Sequence, residues 1–498
     1  MNRALNFELD VNFDLEQHRD RLAADAYVTV RAFAAAQDEA GARRSGAGLA
    51  EVVLLDHSGS MTYPISKLHM AKRAAKAAID LLGDGTLFAI VGGTHDAHMT
   101  YPREKELAVA DARTRAAARK AVDAIAPGTQ GTRIGAWLDL AGELLAPHPD
   151  RVRHATLLTD GKNQHQDSAE RTMEQVLADC RGVFSCDARG IGADWEPAEL
   201  RLIAAQLQGT ADAVPDIADL EEAFRAIVQD AAGWTVPQVA LRVRHPDGIE
   251  VAAFEQTVPA LADLVPHRTP VPGTIAVDYP TGPWGEEERS YVLTLVLKRR
   301  PAAAGTVDRL ASVEVVTGAV GTATAATPTL TVPVDVLWLD IPSPGTRLDP
   351  ALRRHREEKE LRELRQSGGV LYKRRDLAGA QDAWGRAVAL ATSLRNEDAL
   401  GRLRRVVRID DAAAGQVSIL PNLDIEYVLQ VTLGDNTSSR ARAEPVRFAD
   451  PPQAAAASVP APAGPDLVCP KCGWVVPAGS RYCEKWDCDH EFTREAEG

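Results

Sequence analysis

The sequence predicts a multidomain protein: a doubly wound α/β domain inserted in or next to an antiparallel β-sandwich, then a helical region and a short cysteine-rich C-terminal module. Three observations carry this. Between residues 47 and 234, short apolar runs alternate with helix-length segments, the pattern of a mainly parallel sheet with helices on both faces. From 235 to 347, apolar and polar residues alternate between Pro- and Gly-rich turns, as in antiparallel strands. Four of the six cysteines fall in the last 30 residues, at metal-ligand spacing.

In chain order, residues 1–46 hold two stretches of period 2, at 6–13 and 26–33, which are expected to complete the sandwich. In 47–234 the predicted strands are 51–55, 87–92, 154–158 and 183–190. The predicted helices are 66–82, 111–125, 134–145, 168–180, 197–206 and 219–231. Sandwich strands are predicted at 239–243, 274–277, 291–297, 311–316 and 329–338. Residues 348–410 read as charged helices with solvated faces. There, Gly369, Tyr372, Asp376, Ala380, Trp384 and Ala387 match the spacing of one tetratricopeptide-type hairpin. A single copy cannot stack into an array, so a packed helical pair is expected rather than a peptide groove. Residues 411–448 read as a short β or irregular segment, with a strand or two between 417 and 433. Residues 449–466 form a Pro/Ala linker, and 467–498 a separate module.

The 498 residues are 45% hydrophobic and 25% charged, enough to bury sizeable cores. A net charge of -14 opposes binding to phosphate backbones. The first 20 residues carry acidic side chains where a signal peptide needs an apolar core, and no run approaches a membrane span. The expected location is cytoplasmic. Cys180 and Cys186 stand apart from the cluster. A disulfide between them is conceivable, but a reducing compartment favours free buried thiols.

The chemistry concentrates at one strand tip. The run Val52-Val53-Leu54-Leu55 ends on Asp56, followed by Ser58 and Ser60. A carboxylate and two hydroxyls are hard oxygen donors, suited to Mg²⁺ or Ca²⁺ and poorly suited to zinc. A Gly-rich loop, 128–135, presents Thr132 just before a helix, and a third apolar run ends on Asp160 before Gly161. If those strands are neighbours, Asp56, Ser58, Ser60, Thr132 and Asp160 meet above the sheet.

Asp56-His-Ser-Gly-Ser resembles the D-x-S-x-S signature of von Willebrand factor A domains, their metal-ion-dependent adhesion site (MIDAS). Thr132 matches that family's loop threonine and Asp160 its T-D-G aspartate. The resemblance covers roughly residues 48–232. It implies a Rossmann-like fold that binds other proteins through Mg²⁺ (or Ca²⁺ or Mn²⁺) rather than catalysing a reaction. It also implies that the missing ligand is an Asp or Glu of a partner, a hard anionic oxygen for a hard cation. His57 falls at a variable position and is expected to pack or face solvent. His95 and His98 are read as loop residues. Nothing indicates an enzyme: there is no G-x-S-x-G elbow and no phosphate loop.

At the C-terminus, Cys469 and Cys472 form a C-x₂-C knuckle, and Cys483 and Cys488 a C-x₄-C one. Four thiolates suit structural Zn²⁺, which would fold a module too small to stabilise itself by burial. It resembles a zinc ribbon. The longer second knuckle leaves His490 as an alternative to Cys488. Four basic against six acidic side chains in 467–498 disfavour nucleic acid and favour docking to protein.

The expected function is therefore a bacterial cytoplasmic adaptor, non-enzymatic, in signalling or stress response. Two other classes stay open at this point: a substrate-relay subunit of a chelatase-like or AAA+ ATPase, and a nucleic-acid-associated factor acting through the ribbon.

Overall fold

The structure, a computed structural model, describes residues 5–13, 16–18, 23–34, 48–62, 66–163, 171–192, 194–214, 219–259, 261–299, 301–318, 331–339, 350–433, 467–471 and 475–476. Strands β1 (Leu5–Phe13), β2 (Glu16–His18) and β3 (Ala23–Ala34) come first. The α/β unit runs β4 (Leu49–Asp56), α1 (Ser66–Leu81), β5 (Leu87–Gly93), β6 (Ala97–Tyr101), β7 (Ala108–Val109), α2 (Ala112–Asp123) and α3 (Ile134–Leu145). It continues with β8 (Val152–Thr159), α4 (Met173–Cys180), β9 (Ser185–Ile191), α5 (Pro197–Gln206), β10 (Ala211–Val214) and α6 (Leu220–Gly233). Then come β11 (Val236–Arg244), β12 (Ile249–Val258), β13 (Ala262–Asp263), β14 (Thr269–Pro270), β15 (Ala276–Trp284), β16 (Glu287–Leu297), β17 (Val307–Thr317) and β18 (Thr331–Leu339). The last elements are α7 (Pro350–Lys373), α8 (Leu377–Leu394), α9 (Glu397–Leu403), β19 (Val407–Asp411), β20 (Gln416–Ile419), α10 (Ile425–Leu433), β21 (Leu467–Val468) and β22 (Val475–Val476).

The α/β sheet has the order β10-β9-β8-β4-β5-β6, with β7 also on β5. Strands β4, β5, β8, β9 and β10 are parallel, and β6 and β7 run antiparallel on β5. Every residue of β4 is buried, because the strand is central and covered on both faces. Helices α3, α4 and α5 bury one face through Trp137, Leu138, Leu177 and Ile203. Helices α1, α2 and α6 bury the other through Leu68, Ile79, Val122 and Phe224. The chain leaves β4 towards β5 on one side, and β8 leads to β9 on the other. The gap above β4 and β8 is thus the switch point of the sheet, where ligands of such folds bind.

Helix boundaries follow local chemistry. Asp111 and Thr114 form a capping box at α2, and Thr172 and Gln175 form one at α4. The latter starts α4 at Met173, later than the expected 168; Ser168 itself lies outside the described residues.

Two sheets, β1-β3-β16-β12-β13 and β14-β15-β11-β17-β18-β2, antiparallel except that β2 runs parallel to β18, share one apolar core. Val28, Val30, Phe254 and Leu293 come from the first, and Leu241, Val313 and Val334 from the second. β3 pairs with β16, so strands from before and after the α/β unit meet in one sheet. Strand β12 was not anticipated from sequence.

Two expectations are corrected. His98 lies on β6, not in a loop: the segment AHMTY is too polar to signal a strand, and its pairing with β5 defines it. Residues 425–433 form a helix rather than β or irregular structure. The run IEYVLQVTL is rich in β-formers, but it is buried on two helical faces. Val428 and Val431 join the core of α7–α9, while Leu429 and Leu433 join that of the α/β unit. A helix separates those pairs onto different faces, and α10 packs along β10 and α5. Arg402 of α9 adds an ion pair to Asp212 of β10 at 3.1 Å. Helices α7 and α8 pack as a pair: Trp384 is fully buried against Tyr372, and Asp376 caps α8 through the Gly379 N–H.

The linker 449–466 and Cys472, Cys483, Cys488 and His490 lie outside the described residues. Cys469 is buried just past β21, which pairs with β22. Cys180 and Cys186 are buried free thiols, and burial pushes the Cys180 thiol up to about 12.

Candidate metal centre

The five sequence-predicted residues converge at the carboxyl ends of β4 and β8. Asp56 ends β4 and is fully buried. It accepts from the Ser58 N–H at 2.8 Å and from the Thr159 hydroxyl at 2.6 Å. Burial pushes its carboxyl up to about 6, against the downward pull of the bonds from Ser58 and Thr159. The chain then enters a 3₁₀ turn, Gly59–Thr62, which brings Ser58 and Ser60 to the same side. Their hydroxyl oxygens are 3.1 Å apart. Thr132 donates to Ser58 Oγ at 3.1 Å, and Ser60 donates to Asp160 Oδ1 at 2.5 Å.

Backbone bonds fix the loops that carry these groups. The Gly59 N–H donates to Gln130 O and the Gly128 N–H to His57 O, at 3.0 and 2.7 Å. Asn163 accepts from the Ile134 N–H at 2.9 Å and so ties the loop after β8 to the start of α3. Asp56, Ser58, Thr132 and Asp160 are buried, and Ser60 is half-buried at the mouth.

The donor set fits a small hard cation. It offers three neutral hydroxyls and two carboxylates, with no thiolate or imidazole. Among the described residues no group of three or more His, Cys, Asp or Glu could hold a metal. A hydroxyl-rich centre with only two carboxylates agrees with that. Gly161 keeps the space open: a Cβ there would lie 2.8 Å from Thr132 Oγ and 3.5 Å from Ser60 Oγ. Gly161→Ala is expected to displace the Thr132 hydroxyl and weaken Mn²⁺ binding about tenfold or more, read by calorimetry on protein of unchanged circular dichroism.

The neighbouring histidines stand apart from this oxygen cluster. His57 Nδ1 lies 3.0 Å from Ala126 O, and its ring sits edge-on to His98 at 5.0 Å. His95 pairs with Asp96. Sequence reasoning missed two partners. Thr159 had a usable signal, as the Thr of T-D-G beside Asp160. Lys67 had none: its ammonium donates to Asp160 Oδ2 at 2.9 Å and is 7% exposed, but it reads as one more basic residue of a helix.

The family model for the von Willebrand factor type A domain matches residues 50–213. A solved structure, von Willebrand factor type A from Catenulispora acidiphila, is 33% identical, with a TM-score of 0.78 over 87% of this chain and 97% of that one. The chain belongs to the von Willebrand factor type A family. An uncharacterised protein of Synechocystis sp. is 29% identical over 178 residues; the match takes in 36% of this chain and 40% of that relative's length. In this von Willebrand factor A chain the oxygen cluster lies inside the matched segment. The C. acidiphila protein is similar well beyond it, over most of the chain. No helix of the described residues is long and apolar enough to cross a membrane.

Proposed function

We propose that this chain is a non-enzymatic bacterial adaptor of the cytoplasm, acting in signalling or stress response. Its α/β domain loads Mg²⁺ at Asp56, Ser58, Ser60, Thr132 and Asp160, the MIDAS set, and captures an Asp or Glu of a partner protein. The observation that carries this reading is the convergence of three hydroxyls and two carboxylates into one hydrogen-bonded cluster at the switch point. Neutral hydroxyls leave a cation most of its charge, so a bound Mg²⁺ supplies an electrophilic centre that favours an anionic oxygen. The protein's part is to hold the donors in place before the ion arrives and to leave the Ser60 side open.

The two mainly antiparallel sheets, read as a β-sandwich, and helices α7–α10 serve as support in this proposal. Cys469, Cys472, Cys483 and Cys488 hold Zn²⁺ in a C-terminal ribbon that offers a second contact, and two linked contacts gain avidity. Purified protein should carry one zinc per chain by elemental analysis; a value near zero sinks the ribbon.

Affinity capture with the full chain tests the main proposal. The proteins held by wild type in Mg²⁺ should be lost in EDTA, restored by added Mg²⁺, and absent on Asp56→Ala. Partners that persist in EDTA, or bind Asp56→Ala as well as wild type, overturn it.

A further inference from the structure

Lys67 is not one of the donor positions, yet it stands against one of them. It lies one residue inside α1, and its Nζ is 2.9 Å from Asp160 Oδ2, with side-chain exposures of 7% and 0%. The same Nζ is 3.8 Å from Asp194 Oδ2, a carboxylate that is 70% exposed. Gly192, with φ of 71°, lies beside the Lys67 ammonium. A Cβ on Gly192 would sit 2.9 Å from both Cε and Nζ of Lys67, so glycine leaves the ammonium its room. That same Cβ position is 3.9 Å from Oε1 of Glu426, in the first turn of α10. Burial pushes the Glu426 carboxyl up, with Asp424 and Asp194 adding to the rise and Lys67 opposing it. The ammonium thus sits between two sets of carboxylates: Asp160 inside the donor cluster, and Asp194 with Glu426 outside it.

We propose that Lys67 is a built-in competitor for the cation at Asp160, and that Asp194 and Glu426 form the seat to which it retreats when the ion is bound. The inference rests on the metal reading given above. Two carboxylates and one ammonium leave the empty site with charge −1; with the divalent ion bound and Lys67 withdrawn, the two carboxylates and the ion sum to zero. The ion must displace the ammonium from Asp160, so the site binds it less tightly than one without Lys67. The retreat also ties occupancy of the site to α10, the helix that packs on both the α/β core and the helical core.

The experiment is a calorimetric titration of the EDTA-stripped full chain with Mn²⁺ alone, comparing wild type, Asp56→Ala, Lys67→Met, the pair Asp194→Asn/Glu426→Gln, and Lys67→Met combined with that pair. Lys67→Met is expected to bind Mn²⁺ about tenfold tighter than wild type. Should it be unstable without metal, its melting temperature still rises more on adding Mn²⁺ than that of wild type. The Asp194/Glu426 pair is expected to weaken Mn²⁺ binding about threefold or more in the wild-type background and to have no effect once Lys67 is Met. Equal or weaker binding by Lys67→Met overturns the competition. An equal effect of the pair in both backgrounds, or none in either, overturns the second seat. No Mn²⁺ binding by wild type, or equal binding by Asp56→Ala, refutes the metal reading itself, a distinct outcome.

Discussion

His154→Ala is expected to destabilise the protein by about 3–5 kcal/mol, the largest effect of any single change proposed here. His154 lies on β8 directly across from Glu51 of β4, and Asp187 is on the next strand, β9. Its Nδ1 is 2.7 Å from Glu51 Oε2 and its Nε2 3.1 Å from Asp187 Oδ2. The three side chains are 0 to 3% exposed. Thr156 donates to Glu51, and the backbone N–H and hydroxyl of Thr210 donate to Asp187. Trp234 closes the site with its ring edge-on to the imidazole at 5.6 Å. Removing the imidazolium leaves two carboxylates buried beside each other with no cation between them.

The same cluster predicts a pH dependence. Burial alone would pull the His154 pKa down, but the charge of Glu51 and the hydrogen bonds to Asp187 and Glu51 push it up to about 9. The folded value is above the unfolded one near 6.5, so the stabilisation is fully present below pH 6.5. It fades as pH rises and is lost through about pH 9; its size is on the order of 3 kcal/mol. Other groups titrate in this window, so the quantity to measure is the difference between wild type and His154→Ala in urea unfolding, from pH 6 to 10. That difference should shrink as pH rises; a constant difference rules out a protonated His154.

Asp160→Ala is expected to lower Mn²⁺ or Mg²⁺ affinity by a factor of about 100 or more and to lower stability without metal as well. Asp160 accepts from Ser60 and from Lys67, so its loss removes a donor, frees the Ser60 hydroxyl and strands a buried ammonium. Lys67 can still approach Asp194 at 3.8 Å, which keeps the stability cost near the low end, about 3 kcal/mol. Wild type should gain about 2.7 kcal/mol at an ion concentration 100 times its Kd, and Asp160→Ala at most about 0.4 kcal/mol at the same concentration. Thermal melts in EDTA and in excess Mg²⁺ separate the two parts. A variant that Mg²⁺ still stabilises fully removes Asp160 from the site.

Much of the α/β unit was legible because its strands and helices announce themselves locally. Parallel central strands are continuous apolar runs, and helices such as α3, Ile134–Leu145, carry apolar residues at 134, 137, 138, 141, 144 and 145. Elements that depend on a neighbour were not legible. Strand β6 is half-exposed and polar, and only β5 defines it. Helix α10 carries a sequence good for strand, and two separate cores make it a helix.

The candidate site divides the same way. The sequence by itself determined which atoms stand at the tips: the carboxylate and hydroxyls of Asp56, Ser58 and Ser60 follow from a strand running into a turn. Their oxygen chemistry needs no knowledge of what surrounds them. Only the tertiary structure decided that Thr132 and Asp160, 74 and 100 residues from their bonding partners, reach the same point. It also decided that Lys67 shares Asp160 and that His154 binds three strands together at the other end of the sheet. A local motif fixes donor type because bonded neighbours set it. The sign of the field around those donors is a sum over groups that only folding brings close.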